Sequence, residues 1–452
     1  MTRQALSTLL LLLAGGSWAG AESLSLPEAM QRARDQASEV AAAAARERAA
    51  ASRLTQARAY RLPAVRLEEM WNRTDSPAES FALQLNQERF SFADFVASDP
   101  NDPDALTTAM TRLEVSVPVY TGGELPGRVE QARLAAEAAE KNHARTADAA
   151  ALAAAQAYVQ LAQAREMAAL LAASRDTVAR HVATARAYVE QGMLVRSELL
   201  RAEVELARVD DLLAEALGGA RLAQAALSFR LGADLGESWE LQPLPAEVLP
   251  PGAVEAWVTE AGSRADLAAA REMVEAGKLE ESVRRAAALP RVGVVLRHDR
   301  FDDFPFGVNG GSSAVMAVAG IELWNGGRHR AAAEAARAEA EAGERDVERM
   351  ERGIRLGVKQ AWERLSTALG RMTTAGRALA AAREAERIVE ERFRAGVVKT
   401  LDLLDAATAR RETETREVVA KADAHLAAFS LVFEAGRAPE AALVGESRGG
   451  TP

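Results

Sequence analysis

This 452-residue chain says the same thing twice. Tyr120-Thr121-Gly122-Gly123 is echoed by Trp324-Asn325-Gly326-Gly327, and Gly192 with Leu199-Leu200 is echoed by Gly396 with Leu403-Leu404, both at a spacing of 204 residues. Glu130, Ala132 and Arg133 fall on Glu334, Ala336 and Arg337 at the same offset, so the match reaches into helix body as well as punctuation. A duplicated unit of about two hundred residues is too long for a solenoid repeat, whose period is about 20 to 50. The constraint is therefore two copies of a whole module lying side by side.

Arg3, the apolar run from Leu9 to Ala14 and the small residues around Ser17-Trp18-Ala19-Gly20-Ala21 have the order of a secretory signal peptide over residues 1–21, with a mature chain beginning near Glu22. That run is about half the ~20 residues a membrane-spanning helix needs, and no later segment does better, which argues against an α-helical membrane protein. The absence of cysteine excludes disulfides, thiolate ligation of metal and a bacterial lipid anchor, so the expected product is exported and unlipidated. A net charge of -10 with both signs interspersed argues against a nucleic-acid partner. His143, His181, His298, His329 and His425 stand singly, without Asp or Glu at metal spacing. With no nucleophile set beside a base, the expectation is no enzyme, no catalytic residue, no metal and no cofactor. The heavy use of alanine favours long helices in close approach.

One repeat reads as follows. A helix opens at Leu26-Pro27-Glu28-Ala29 with Ser25 as its cap and runs to about Tyr60, where Leu62-Pro63 ends it. The period then changes to two: Val65, Leu67 and Trp71 alternate with Arg66 and Glu68, and Leu113, Val115, Val117 and Val119 alternate with Arg112, Glu114 and Ser116. In the second copy Leu289-Pro290 stands for Leu62-Pro63, and the strands are Val292-Val294-Leu296 and then Val315, Ala317, Ala319, Ile321 and Leu323. The offset here is 227, so an extra 23 residues lie between the strands of the first copy, in an exposed connection from Asn72 to Thr108. Phe81, Leu83 and Leu85 alternate inside it as a strand extension would, and Phe90, Phe92 and Phe95 form a local cluster.

Each Gly-Gly opens a very long helix, Glu124 to Val189 and Arg328 to Phe393, that at ~1.5 Å per residue would reach about 100 Å. A turn holding Gly192 or Gly396 follows, then a return helix, giving an αα-hairpin. The boundaries are a first structural repeat over 22–231, a linker over 232–252 marked by Pro243, Pro245, Pro250 and Pro251, a second repeat over 253–436, and a disordered tail over 437–452.

Four strands per chain cannot close a barrel, and an open sheet cannot sit in lipid, where its edge groups have no water to bond. Two chains would make eight strands with a filled interior, whereas three make twelve and leave a conduit. The strands average about ten residues, the length of a tilted membrane strand.

At this point the residues carry a likeness. The leader, the duplicated module, the strands running into Tyr-Thr-Gly-Gly or Trp-Asn-Gly-Gly, and Phe393-Arg394-Ala395-Gly396 followed by Leu401-Asp402-Leu403-Leu404-Asp405-Ala406 together resemble the TolC family of outer-membrane efflux channels, over about Leu24 to Ala435. The resemblance implies a mainly α protein with a transmembrane β-barrel: long helical hairpins plus four strands per protomer, internally duplicated, in a homotrimer with a twelve-stranded barrel. It implies an exit duct of a tripartite efflux or type I secretion system, set in outer-membrane lipid with a long periplasmic extension. The partners implied are a periplasmic adaptor protein and an inner-membrane pump. Cargo selection lies with the pump, so drug, metal ion, peptide and protein all remain open.

The same resemblance implies that Asp402 and Asp405 ring the periplasmic aperture, with Glu198 and Arg201 in the equivalent places of the first copy. Two acids at a helix start also simply complement the helix dipole. Gly192, Met193 and Leu194, with Gly396, Val397 and Val398, are the expected hairpin tips and adaptor contacts, and the same glycines serve as positive-φ caps. Gly122, Gly123, Gly326 and Gly327 are the strand-to-helix junctions. Trp71, Tyr120 and Trp324 read as interfacial aromatics or as core. The competing architecture is a periplasmic coiled-coil adaptor or scaffold, which accounts for the helices but not for two sets of paired alternating strands.

Overall fold

The computed structural model describes residues 22–97, 99–248 and 251–443, so the expected leader lies outside the described residues. The chain divides into two compact units: one takes the described residues of Met1–Ala44, Asn142–Leu267 and Met350–Pro452, the other Ala45–Lys141 and Ala268–Arg349.

The first unit is helical. The expected opening helix is two, α1 (Leu26–Gln36) and α2 (Ser38–Ala59), because Ala37 takes an extended ψ of 135° and breaks the ladder. Ser25 caps α1 in both directions: its Oγ accepts from the Glu28 amide (3.4 Å) and its own amide donates to Glu28 Oε2 (2.8 Å). Residues ahead of α1 form β1 (Glu22–Leu24), paired parallel with β4 (Trp239–Leu241), which lies inside the stretch expected as linker. Three-residue strands carry too few positions to show a period, so neither was legible. The core forms where this ribbon meets the helices α5 (Glu124–Glu190), α6 (Arg196–Arg230) and α10 (Thr400–Glu434), with Met30, Tyr158, Leu161, Leu227, Trp239 and Phe429 fully enclosed. Ala150, Ala151, Ala154 and Ala155 let α5 approach its neighbours without a ridge of side chains. The Tyr158 hydroxyl lies 2.7 Å from the Gln242 carbonyl and 3.0 Å from that of Leu24, and burial pushes its pKa up to about 12. Arg34 ties the end of the chain to this core, reaching Glu440 at 2.9 Å and Asp148 at 2.5 Å. Pro439–Ala442 is a 3-10 turn there, so the described start of the expected tail is packed rather than disordered.

The two long helices, α5 and α9 (Arg328–Arg394), each have 67 residues, and the two return helices α6 and α10 each have 35. Their caps recur in pairs as well. Gly192 and Gly396, then Gly232 and Gly436, all have positive φ, and each sits in the same double hydrogen bond that closes a helix end. Among the described residues no helix is long and apolar enough to cross a membrane.

The second unit is built on one antiparallel sheet in the order β2 (Ala64–Thr74), β3 (Leu106–Tyr120), β5 (Arg291–Asp302), β6 (Gly310–Gly320). β6 stops at Gly320, short of the expected Ile321 and Leu323, which are exposed. Register fixes two unlike faces. One carries rows such as Val65, Val115, Leu296 and Val315, directly opposite one another across all four strands. The other carries Arg66, Glu114 and Arg297 in one row and Glu68, Arg112, Asp299 and Ser312 in the next. Arg112 grips Asp299 with two nitrogens (2.8 and 3.3 Å), and Arg297 reaches the same carboxylate at 3.3 Å. Opposite charges placed directly across strands stabilise the pairing in this register.

The long connection between β2 and β3 is helical: α3 (Pro77–Asn86) and α4 (Phe92–Ala97). The alternation at Phe81, Leu83 and Leu85 was misleading as a strand signal. Pro77 is set to start a helix, and Phe81 and Leu85, four apart, share one face of it. Phe81 instead completes an aromatic cluster with Phe90 (5.4 Å) and Phe95 (5.5 Å), while Phe92 is 73% exposed. α7 (Val254–Glu260), a 3-10 turn (Ala261–Ser263) and α8 (Ala265–Ala286) complete the described elements.

Candidate functional site at the hairpin tips

α5 and α9 end close together in the first unit, with the rings of Tyr188 and Phe393 6.2 Å apart. Each helix stops because a glycine takes a left-handed conformation that other residues adopt only with strain: φ is +71° at Gly192 and +74° at Gly396. The amides of Gly192 and Met193 satisfy the carbonyls of Val189 and Tyr188 (3.0 and 2.8 Å), and those of Gly396 and Val397 satisfy Phe393 and Arg392 (2.9 and 3.0 Å). The side chains beyond are left facing outward. Met193, Val195 and Val397 are exposed, and Leu194 and Val398 are half-buried. Apolar groups on a turn that serves no core form a small contact surface.

Asp402 and Asp405 lie in the first two turns of α10, both exposed. Asp402 Oδ2 accepts from the Lys399 amide at 3.0 Å, so this carboxylate caps the helix as well as presenting charge. Leu403 and Leu404, between them, are buried, Leu404 against Val182 of α5 and Ala202 of α6. The two acids therefore project from the opposite side of α10. In the first copy the equivalent Glu198 and Arg201 are 4.0 Å apart, and that position is self-neutralised.

Behind the tips lies a charged network that sequence reasoning missed. Arg411 of α10 meets Glu205 of α6 at 2.8 Å, and Arg410 meets Glu386 of α9 at 2.6 Å. Glu414 accepts from Arg383 at 3.0 Å and lies 3.5 Å from Arg410. Burial pushes the Glu386 carboxyl above its usual range even though Arg410 pulls it down, with Glu390 and Glu414 adding to the rise. Burial likewise pushes the His181 imidazole below its ordinary range; Glu390 opposes this, while Arg180, Arg394 and Arg410 reinforce it. One signal was available: Arg411 occupies a position in the buried stripe of α10 that runs through Leu404, Ala407 and Val418.

The junction glycines belong to the other unit. Gly122 (φ +67°) is confined twice, since a Cβ there would lie 2.7 Å from the Ala286 carbonyl and 2.8 Å from Leu289 Cβ. Gly123, Gly326 and Gly327 also have positive φ but open space around them. Trp71, Tyr120 and Trp324 are all exposed, which removes them from the core. A cleft of about 970 Å³ opens beside this junction, lined by Ser116, Val294, Glu322 and His329 among others. His329 Nε2 lies 2.7 Å from Glu322, whose carboxyl is held below its usual range chiefly by that bond.

The family profile described as outer membrane efflux protein matches residues 29–233 and 259–437. The outer membrane efflux protein BepC of Brucella suis biovar 1 (strain 1330) is 25% identical over 285 residues, which span 62% of this chain and 62% of BepC. Among solved structures, the transmembrane channel protein CusC superposes with a TM-score of 0.78 at 16% identity, covering 93% of this chain and 96% of the other. The outer membrane protein VceC of Vibrio cholerae superposes with a TM-score of 0.76 at 19% identity, covering 92% and 97%. At those identities the structural likeness speaks for the fold alone.

Proposed function

The chain belongs to the outer membrane efflux protein family, and from that premise we propose that it is the exit duct of a tripartite efflux or type I secretion system, passively conducting what a pump and adaptor deliver. The observation that carries this reading is the four-stranded sheet with two unlike faces and two unpaired edges, β2 and β6. Unpaired backbone groups in hydrocarbon cost several kcal/mol each, so such a sheet enters lipid only by closing with others. Three chains supply twelve strands and a lumen, and the barrel then turns Val65, Val115, Leu296 and Val315 to lipid and the Arg112–Asp299 face inward.

In this reading the hairpins extend into the periplasm, and the exposed Met193 and Val397 with the half-buried Leu194 and Val398 meet the adaptor. Three-fold repetition sets the paired carboxylates Asp402 and Asp405 in a ring at the inner aperture, where they draw cations and repel one another. The decisive measurement is joint: detergent-purified protein sized by light scattering and then added to a planar bilayer. A trimer that opens ion-conducting steps is expected, and a monomer with no conductance would overturn the proposal.

A further inference from the structure

The connection that distinguishes the first repeat from the second does not hang free beyond the sheet. It lies on the charged face. Gln87, buried at the end of α3, donates from Nε2 to Thr108 Oγ1 at 2.8 Å and to the Thr107 carbonyl at 3.3 Å. Thr108 is four residues from Arg112 on the same strand, hence on the same side. The Asn86 carbonyl packs directly on Gly310, where any Cβ would collide with it. Gly310 pairs in register with Phe301, two residues beyond Asp299, which again is the Arg112 side. Arg89 reaches across to Asp303, joining this connection to the β5–β6 turn. Two anchors, on β3 and β6, thus agree on one face, and the third ties the connection to the β5–β6 turn. Both connections sit at the end of the sheet opposite the junctions with α2, α5, α8 and α9.

We infer that residues 77–97 of each protomer fold into the lumen and form a constriction at the outer mouth, a size filter separate from the aperture at the hairpin tips. The inference rests on the barrel reading above, which makes the charged face the inner one. Size decides how much space remains. Twelve strands spaced about 4.8 Å apart and tilted about 40° give a backbone ring about 24 Å across. Helices about 10 Å wide, one from each protomer, then meet near the axis once the wall side chains are counted. The charged rows beneath, Glu68, Arg112 and Asp299, are reached only past this layer.

The chain has no cysteine, so single reporters are clean. Ser116→Cys reports from the charged face, beyond Arg112 toward the helix end, and Phe304→Cys reports from the exposed β5–β6 turn. Intact cells are treated with an impermeant maleimide carried on a bulky poly(ethylene glycol). With the full chain, Phe304→Cys is labelled and Ser116→Cys is protected. When residues 77–97 are replaced by a Gly-Ser turn, protection of Ser116→Cys is lost. Should that replacement fail to assemble, Gln87→Ala combined with Arg89→Ala releases the same anchors and is expected to lose protection in part. Labelling of Ser116→Cys as fast as Phe304→Cys in the full chain overturns the inference and leaves the channel intact, as does protection that survives removal of the segment. Failure to label Phe304→Cys overturns the barrel reading itself.

Discussion

Arg411 on α10 and Glu205 on α6 form an ion pair of 2.8 Å in which the side chains are only 5% and 16% exposed. It joins the two return helices behind the tips. A buried pair is costly to break from one side because the surviving charge stays desolvated. Arg411→Ala is therefore expected to lower stability by about 3 kcal/mol, and the combined Arg411→Met and Glu205→Leu to recover most of that loss. Thermal melting followed by circular dichroism in detergent checks both, and a double variant no more stable than the single one would reject the account.

Asp402 caps α10, and under the channel proposal it also lends charge to the aperture; substitutions separate the two. Asp402→Asn with Asp405→Asn keeps acceptors at the start of α10 but removes the charge, whereas Asp402→Ala with Asp405→Ala also loses the bond from the Lys399 amide. If charge at the aperture matters, both pairs weaken block by multivalent cations in planar bilayers. If only capping matters, block is unchanged and the alanine pair alone loses about 1 kcal/mol of helix stability.

The junction glycines predict an asymmetry between the two repeats. Gly326→Ala pays for a left-handed backbone alone, about 1 kcal/mol. Gly122→Ala pays that and must also displace Ala286 and Leu289, so it is expected to cost clearly more. Equal melting temperatures for the two variants would show that the close approach at Gly122 relaxes freely.

Acid should loosen the tips through His181. Its folded pKa is depressed by burial, so its contribution is fully present above the unfolded value of about 6.5 and is lost as pH falls through the folded value. Glu386 works in the opposite sense. Its raised pKa gives a contribution present below the unfolded value of about 4.3 and lost as pH rises through the folded one. Lowering pH from about 7.5 to about 5 should therefore destabilise the native protein more than His181→Gln. Parallel pH slopes for the two would remove His181 as the cause.

Much of the architecture was legible because it is written in period and punctuation. Gly192 and Gly396 announced the hairpin turns, since only a residue without Cβ closes a helix in that way cheaply. The switch from helical spacing to alternation at Val65 and Leu113 announced strands, since a half-buried sheet needs one apolar face. The alternation at Phe81, Leu83 and Leu85 failed because its outer pair, Phe81 and Leu85, four apart, shares a helix face as readily as a strand face, and Pro77 decided between them. The family likeness rested on the ordering of these signals, and the match over residues 29–233 and 259–437 agrees with it.

By itself, then, the sequence determined the kinds of element and their order, because backbone preferences and hydrophobic period are local properties of neighbouring residues. Tertiary structure alone decided which distant groups meet: Arg411 with Glu205, Asp299 with Arg112, Gln87 with Thr108, and β1 with β4. Those pairings depend on strand register and on how helices rotate against one another, and a shift of one residue in a strand or about 100° around a helix would exchange every partner.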